Sequence, residues 1–416
     1  MNNDEPIWRR RELTDSVLPA TPVPAEELGD RIWMSRGLSN SYLLTTDDGR
    51  IIINCGMGFE SPYHRRAFDA VDDSRIRTII LTQGHPDHFG GVDTFLEAGT
   101  ELITQSNFFV FRTDFEKLGA YRQRNSAFAW AKQSYDTIQA MIDRGETVVP
   151  QSSPTPTRMF DDELELTVGG RTLRLISTPG GETTDACVVW LPESRTVFTG
   201  NLCGPLFGHV PNLVTLRGDR YRDVADYIGS LQQVRDLKPA RLITGHFDPI
   251  EGEDLIEREL VRLQDAARYV HDRVIEGMNA GADVLTLMSE IELPVELDVG
   301  QHYGKVSWNV RAIWETYAGW FHHRSTTELY AVPQSEVAAD IVGSSGAPGL
   351  RSAAWAHVDA GRPVHAIHLT DLLLAADADD AAARAIAVAA HEALLAESTN
   401  FWESAWLRKQ LGELNS

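Results

Sequence analysis

The sequence predicts an α+β protein, a two-sheet sandwich covered by helices and followed by an all-α region. Two runs of short apolar strands, with helices between them, occupy the chain up to about residue 250. After Gly252 the strand patterns cease and apolar residues recur at helical spacing. Residues that bind metals cluster in loops at the ends of the early strands.

In order, residues 31–34, 41–45 and 50–54 read as strands, with Asp47-Asp48-Gly49 as the hairpin turn between the last two. Residues 76–81 are mostly apolar and rich in β-branched side chains, which suits a buried strand. A short helix over 91–98 and a strand over 101–104 follow. Residues 107–144 read as mostly helical and carry Phe108, Phe109, Phe111, Phe115, Tyr121, Phe128 and Trp130. Those aromatics serve either helix packing or an apolar wall over a site. A second set of strands covers 163–168, 171–177, 186–191 and 196–199, with turns at Gly169-Gly170 and at 192–194. A helix over 221–237 leads to a last strand at 241–244.

Beyond residue 252, helices are expected at 254–277, 282–291 and 306–319. Further helices at 337–342, 349–360, 365–376 and 380–397 are dense in alanine and separated by turns at 361–363 and 376–379. Their succession is similar to a small tetratricopeptide-like array, without a strict repeat period. The expected domains are therefore 1–252, 253–334 and 335–416.

Sixty acidic residues against 38 basic ones give a formal net charge of -22. That balance argues against nucleic acid and against anionic membranes as partners. It leaves room for an anionic substrate, because a few local arginines and a metal outweigh a distant, screened field. No stretch reaches the ~20 apolar residues of a membrane span. The opening Met1-Asn2-Asn3-Asp4-Glu5-Pro6 lacks the basic and apolar regions of a signal peptide, so a cytoplasmic location is expected. Cys55, Cys187 and Cys203 are scattered and odd in number, and read as small buried hydrophobes.

Function is most legible between Leu81 and Gly91, which reads Leu-Thr-Gln-Gly-His-Pro-Asp-His-Phe-Gly-Gly. His85, Asp87 and His88 place three metal donors where a buried strand turns out of a sheet. Gly84, Gly90 and Gly91 permit the tight backbone this needs. A zinc-type ion requires several donors converging within ~2.0–2.2 Å. Glu182 follows Thr178-Pro179-Gly180-Gly181, Asn201 follows Thr199-Gly200, and His246 follows Ile243-Thr244-Gly245. Any one of these alone reads as a loop residue. Four such positions after strand ends, in this order, point to a metal site.

These loops and their order resemble the metallo-β-lactamase superfamily over residues ~30–250, whose fold is an αβ/βα sandwich with one or two metals at one edge. Asn212-Leu-Val-Thr-Leu-Arg-Gly218, Tyr303-Gly-Lys-Val-Ser-Trp-Asn-Val-Arg-Ala-Ile-Trp314 and Tyr317-Ala-Gly-Trp-Phe321 are similar to segments of its alkylsulfatase branch. That branch carries a helical dimerisation domain after the catalytic one, so the resemblance implies a homodimer and extends to about residue 400. The lipid-binding-type C-terminal domain of longer members is not expected here. The family pattern changes at Gln83, which stands where the loop normally begins with histidine. Gly200 or Asn201 stands at the bridging acid, Trp308 replaces a histidine, and His322-His323 replace Asp-Gly.

Carried over residue by residue, the resemblance implies one metal at Asp87, His88 and His246 and a second at Gln83, His85 and Glu182. An amide is a poorer donor to zinc than an imidazole. Without an acid at Gly200 or Asn201, a charge that would hold two cations together is missing. The expectation is one Zn2+ held tightly and a second weakly or not at all; manganese or iron would also suit the donors. His209 is an alternative ligand. Asn212 and Arg217 resemble the family's sulfate-binding pair, and with Asp87 they are the candidate catalytic residues; the planar arginine fork suits an oxyanion.

The resemblance thus implies a metal-dependent hydrolase of a sulfate ester or related ester, with a small, anionic substrate. Two other readings stay open, since one fold hosts many chemistries. One is a different reaction class, such as a lyase, a lactone or amide hydrolase, or an iron-dependent oxygenase. The other is a catalytically silent relative that binds a ligand. Tyr303, Asn309 and Arg311 either reach the site or pack helices, and His302, His322 and His323 read as solvated turn residues.

Overall fold

Strands β1 (Glu26–Gly29), β2 (Ile32–Ser35), β3 (Ser41–Thr46), β4 (Gly49–Ile53), β5 (Ile76–Ile80), β6 (Glu101–Gln105) and β7 (Arg158–Phe160) pair in that order into one sheet. The first four are antiparallel and joined by short turns. From β4 to β7 the pairing is parallel, which requires crossovers. Helix α1 (Ser61–Asp69) makes the first, α2 (Pro86–Phe89) and α3 (Val92–Phe95) the second. The third comprises α4 (Phe108–Lys117), α5 (Gly119–Ser126) and α6 (Trp130–Asp143).

The second sheet contains β8 (Glu163–Val168), β9 (Arg171–Ser177), β10 (Cys187–Leu191), β11 (Thr196–Gly200), β12 (Arg241–Thr244) and β13 (Ile250–Glu251), in the order β13-β12-β11-β10-β9-β8. Helix α7 (Val224–Asp236) is the crossover for its one parallel pair, β11 and β12. These coordinates are a computed structural model, and they describe residues 5–126, 128–214 and 216–416. Residues 1–4, Ala127 and Thr215, which belong to the expected N-terminus, the 107–144 helix and the 212–218 segment, lie outside the described residues.

Alternation along the strands builds two cores from one sheet. Tyr42, Leu44, Ile51, Ile53 and Ile80 pack between the sheets against Leu175, Val189, Phe198 and Ile243. Leu43, Ile52, Ile79 and Leu81 point the other way, onto Phe68, Phe89, Phe95 and Phe108. With both faces covered, β5 buries Ile76, Ile79 and Ile80 together with Thr78, and only Arg77 reaches solvent.

Helices α8 (Glu253–Asn279), α9 (Val284–Glu290) and α10 (Val306–Ala318) follow the sheets. The chain divides into two units, Met1–Tyr317 and Ala318–Ser416. The second is all-helical, with α11 (Ala338–Ser345), α12 (Ala347–Asp359), α13 (Pro363–Ala376), α14 (Ala381–Glu397) and α15 (Phe401–Leu414). Its centre is Ile386 among Ala354, Ala366 and Ala390, small side chains that let helices approach closely. Asp380 caps α14 through the Ala382 and Ala383 amides while Arg351 Nη2 holds its other oxygen at 2.6 Å.

The expected α+β class and most of the expected elements are present. The expected helix over 107–144 is instead three helices, with Gly119 opening the second. Among the described residues six strands and α-helices went unexpected: β1, β7, β13, α1, α2 and α15. The three strands have two to four residues, too few to display a period of two. In α1, the buried face of Tyr63, Ala67 and Phe68 also holds polar Ser61 and His64, which blurs its apolar pattern.

Candidate functional site

The loops after β5, β9, β11 and β12 converge. Beyond β5 the chain is anchored by Thr82, whose amide donates to Asn54 Oδ1 at 3.0 Å while Asn54 Nδ2 donates to Thr82 Oγ1 at 3.0 Å. His85 then precedes the single turn of α2, where Pro86 fixes the entry and Asp87 and His88 follow. Asp87, His88 and His246 bring one carboxylate oxygen and two imidazole nitrogens within 4.8 Å of one another. The two rings are perpendicular, with centroids 6.3 Å apart.

His88 Nδ1 lies 3.4 Å from Ser39 Oγ, and its Nε2 lies 3.5 Å from Asp87 Oδ2. Burial pushes His88 down to about 4 and lowers His246 as well, so both imidazoles are neutral near pH 7. Neutral imidazole is the form that ligates metals. His88 Nε2 and both ring nitrogens of His246 are buried without a hydrogen-bond partner. An orphaned buried polar atom costs ~1–3 kcal/mol, and a bound cation would supply the missing partner. This donor set fits a divalent metal.

Gln83, His85, Glu182 and Asn201 form a second, closed group. Gln83 Nε2 lies 2.7 Å from His85 Nδ1 and 3.5 Å from Glu182 Oε2. Gln83 Oε1 accepts the Asn201 amide at 3.2 Å, and Asn201 Nδ2 donates to Glu182 Oε2 at 3.1 Å. Glu182 Oε2 is 3.3 Å from His85 Nδ1, and Oε1 is 3.6 Å from Arg222 Nη1. Burial alone would raise the Glu182 pKa; Arg222 first, then His85, outweigh it and hold the carboxylate well below its usual range.

Asn201 lies between the two groups. A Cβ on Gly245 would fall 2.4 Å from Asn201 Oδ1 and 3.1 Å from His88 Cε1, so that oxygen faces the His88 side. Asn201 Oδ1 is itself buried without a partner. Gly200 has φ +50°, and a Cβ there would meet Thr82 Oγ1 at 2.5 Å. Of the two positions considered for a bridging residue, only Asn201 places a side chain between the groups.

Arg217 Nη2 lies 3.2 Å from His85 Nε2, and Arg217 Nε donates to Asp219 Oδ2 at 2.6 Å. Phe111 from α4 sets its ring edge-on to His85, centroids 5.2 Å apart. The Asn212 carbonyl accepts from Arg222 Nη1 at 2.7 Å, while its buried side-chain oxygen has no partner. Asn309 on α10 clasps this strap from both sides: Nδ2 donates to the Pro211 carbonyl at 2.7 Å and Oδ1 accepts the Leu213 amide at 3.3 Å. Tyr303 is buried close by, pushed up to about 12 by burial and then by the Glu182 charge.

Other expected residues are placed elsewhere. Arg311 is half-exposed and pairs with Glu315 at 2.8 Å. His209 accepts the His302 amide on Nδ1 at 3.1 Å, packs edge-on against Trp8, and is not in the cluster of Asp87, His88 and His246. His302 is not a freely solvated turn residue: its Nε2 lies 3.0 Å from Thr14 Oγ1. His322 and His323 belong to the Ala318–Ser416 unit. The sequence reading passed over Arg222 and Asp219. Arg222 sits between exposed-looking charges, and only the Asp223 cap of α7 hints that the chain turns inward there.

Residues 34–246 match the Metallo-beta-lactamase superfamily, and residues 286–415 match Alkyl sulfatase dimerisation. A linear primary-alkylsulfatase from Pseudomonas sp. is 25% identical over 322 residues, covering 73% of this chain and 60% of its own. An (R)-specific secondary-alkylsulfatase from Pseudomonas sp. is 26% identical over 431 residues, covering 96% of this chain and 63% of its own. The chain therefore spans under two thirds of the length of these relatives. The solved structure of a stereoselective inverting sec-alkylsulfatase from Pseudomonas sp. superposes with a TM-score of 0.80 at 23% identity, covering 94% of this chain and 65% of that one. That likeness is one of fold. The superfamily implies a divalent metal, which the orphaned donors of His88 and His246 fit. The chain belongs to the metallo-beta-lactamase superfamily, joined to an alkyl sulfatase dimerisation region as in its alkylsulfatase-like branch.

Proposed function

We propose that this protein is a metal-dependent hydrolase of sulfate esters or closely related anionic esters. The observation that carries the reading is Arg217, set 3.2 Å from His85 beside the Asp87, His88 and His246 cluster with its buried, neutral imidazoles. Asp87, His88 and His246 would hold one divalent cation, zinc in our reading, with manganese or iron also suited to the donors. When bound, that cation supplies Lewis-acid charge and lowers the pKa of water towards ~7.

The chain's own residues do the rest. Arg217 offers a planar fork to an oxyanion, and Asn212 adds a short polar side chain that can turn to the same group. Asp87 keeps a second carboxylate oxygen for the proton of the attacking water. Phe111 and the helical cover exclude bulk water, which strengthens the charge–charge contacts beneath. The second group would take a cation weakly, because Gln83 and Asn201 are neutral and Arg217 and Arg222 already supply positive charge.

Support for the ester class comes from the alkylsulfatase names of the relatives, and a homodimer is proposed from the dimerisation match. Among the described residues no helix is long and apolar enough to cross a membrane. A cytoplasmic location stands with this reading as an expectation of the sequence. The test is elemental analysis of protein purified without added metal, followed by sulfate release from a panel of alkyl and aryl sulfate esters. One firmly held zinc or manganese with sulfate release is expected. Metal-loaded protein that releases no sulfate from any ester would overturn the reading.

A further inference from the structure

Helix α5, part of the cover over the site, brings a second arginine to the wall that holds Arg217. Arg122 is buried, and its Nη1 donates to Asp219 Oδ1, while Asp219 Oδ2 accepts from Arg217 Nε at 2.6 Å. One carboxylate thus serves two guanidinium groups, and the trio keeps a net positive charge. Their side chains are 9%, 6% and 19% exposed for Arg122, Asp219 and Arg217, so solvent screens that charge poorly. Burial and then the neighbouring Arg217 charge lower the Arg122 pKa.

The contact is built from backbone as well as charge. Gly218 lies at φ +87°, and a Cβ there would fall 2.8 Å from the Tyr121 ring, so the 217–219 segment is pressed onto α5. The Arg122 guanidinium also lies 4.8 Å from the centre of the Phe115 ring of α4. An arginine is fixed in its useful orientation only when its planar fork is held from behind. Asp219 does this at Nε, which leaves Arg217 Nη2 on the His85 side.

We propose that Arg122 and Asp219 are a positioning pair that presents Arg217 to the anionic head of the substrate, so that helix α5 sets anion affinity. The assignment of that anion to a substrate rests on the ester-hydrolase reading; the pairing does not. Asp219→Asn separates positioning from simple charge. Removing a negative charge beside two arginines would tighten anion binding if only the field mattered. If orientation matters, binding weakens although the site has become more positive.

The probe is inorganic sulfate, titrated calorimetrically into metal-loaded wild type, Asp219→Asn, Arg122→Ala and Arg122→Lys, with metal content and thermal unfolding measured on each. We expect sulfate affinity to fall about tenfold or more in Asp219→Asn and Arg122→Ala. The ester KM should rise accordingly, kcat should change less, and metal content should hold. Arg122→Lys, which keeps charge and stem but loses the fork, should fall between wild type and alanine. If Arg122→Ala does not fold, the lysine variant and Asp219→Asn decide. Sulfate affinity in Asp219→Asn equal to or tighter than wild type would overturn the pair alone. Wild type that neither binds sulfate nor hydrolyses sulfate esters would overturn the functional reading and the pair together.

Discussion

The amide nitrogen of Gln83 lies 2.7 Å from Nδ1 of His85, and a ring that accepts at Nε2 has no lone pair there to receive it. Arg217 has only donors and faces Nε2, so Nε2 is the accepting nitrogen and the ring proton sits on Nδ1, towards Glu182. Turning the Gln83 amide over would offer its oxygen to Nδ1–H but would set NH2 against the Asn201 amide that the oxygen accepts at present. Gln83 satisfies one neighbour at a time. An imidazole in its place has a lone pair to offer a cation. Gln83→His should therefore raise firmly held metal from one equivalent towards two, read by elemental analysis after dialysis. An unchanged ratio would mean that the Arg217 and Arg222 charges, rather than the amide, keep a second cation away.

Asn201 and Gly200 differ sharply as places for a restored acid. Asn201 already donates to Glu182 at 3.1 Å and turns its oxygen towards the His88 side. Asn201→Asp adds a negative charge between both groups and should tighten divalent metal binding about tenfold or more, measured by competition with a chelator. Gly200→Asp should do nothing of the kind. Its φ of +50° and the 2.5 Å approach to Thr82 Oγ1 predict a loss of ~1–3 kcal/mol in unfolding experiments without a gain in metal. Equal metal affinities in the two variants would refute the placement of Asn201 between the groups.

The sequence made the metal donors of both groups far more legible than the ion pairs around them. His85, Asp87 and His88 are adjacent in a loop, and Glu182, Asn201 and His246 each follow a strand, so strand patterns alone place them near one sheet edge. What stayed hidden lies where spacing carries no information. Arg222 joins Glu182 from 40 positions further along the chain, and Asp219 links Arg217 to Arg122 on a different element. Ion pairs of this kind leave no periodic mark. The fold behaved alike: the long apolar strands were readable, whereas β13, held in place by β12 over two residues, was not.

His209 gives the protein a pH dependence separate from metal release. Its ring is buried, Nδ1 accepts the His302 amide, and burial followed by His302 pushes its pKa down to about 3. An unfolded histidine titrates near 6.5, so between about 6.5 and 3 the unfolded chain binds a proton that the native chain does not. Stability contributed by neutral His209 is whole above that window and is lost as pH falls through it, at up to ~1.4 kcal/mol per pH unit. His209→Asn should flatten the acid limb of unfolding free energy against pH by about one proton, measured by urea unfolding with a chelator present. An identical slope in the variant would show that His209 protonates in the native state.

Asn309 shows that the region matching alkyl sulfatase dimerisation also shapes the candidate site. It is buried on α10, and its single amide group bonds the Pro211 carbonyl and the Leu213 amide, the residues on either side of Asn212. Asn309→Ala removes both partners at once and leaves a buried carbonyl and a buried amide unsatisfied. The cost should be ~2 kcal/mol of stability, since each orphaned group contributes ~1–3 kcal/mol before water enters. Asn309→Asp keeps the acceptor for Leu213 but opposes the Pro211 carbonyl with a second oxygen, so it should be no milder than alanine. If the clasp also sets the position of Asn212, KM for the ester should rise severalfold in both variants while metal content holds. A loss of stability with KM unchanged would confine Asn309 to packing.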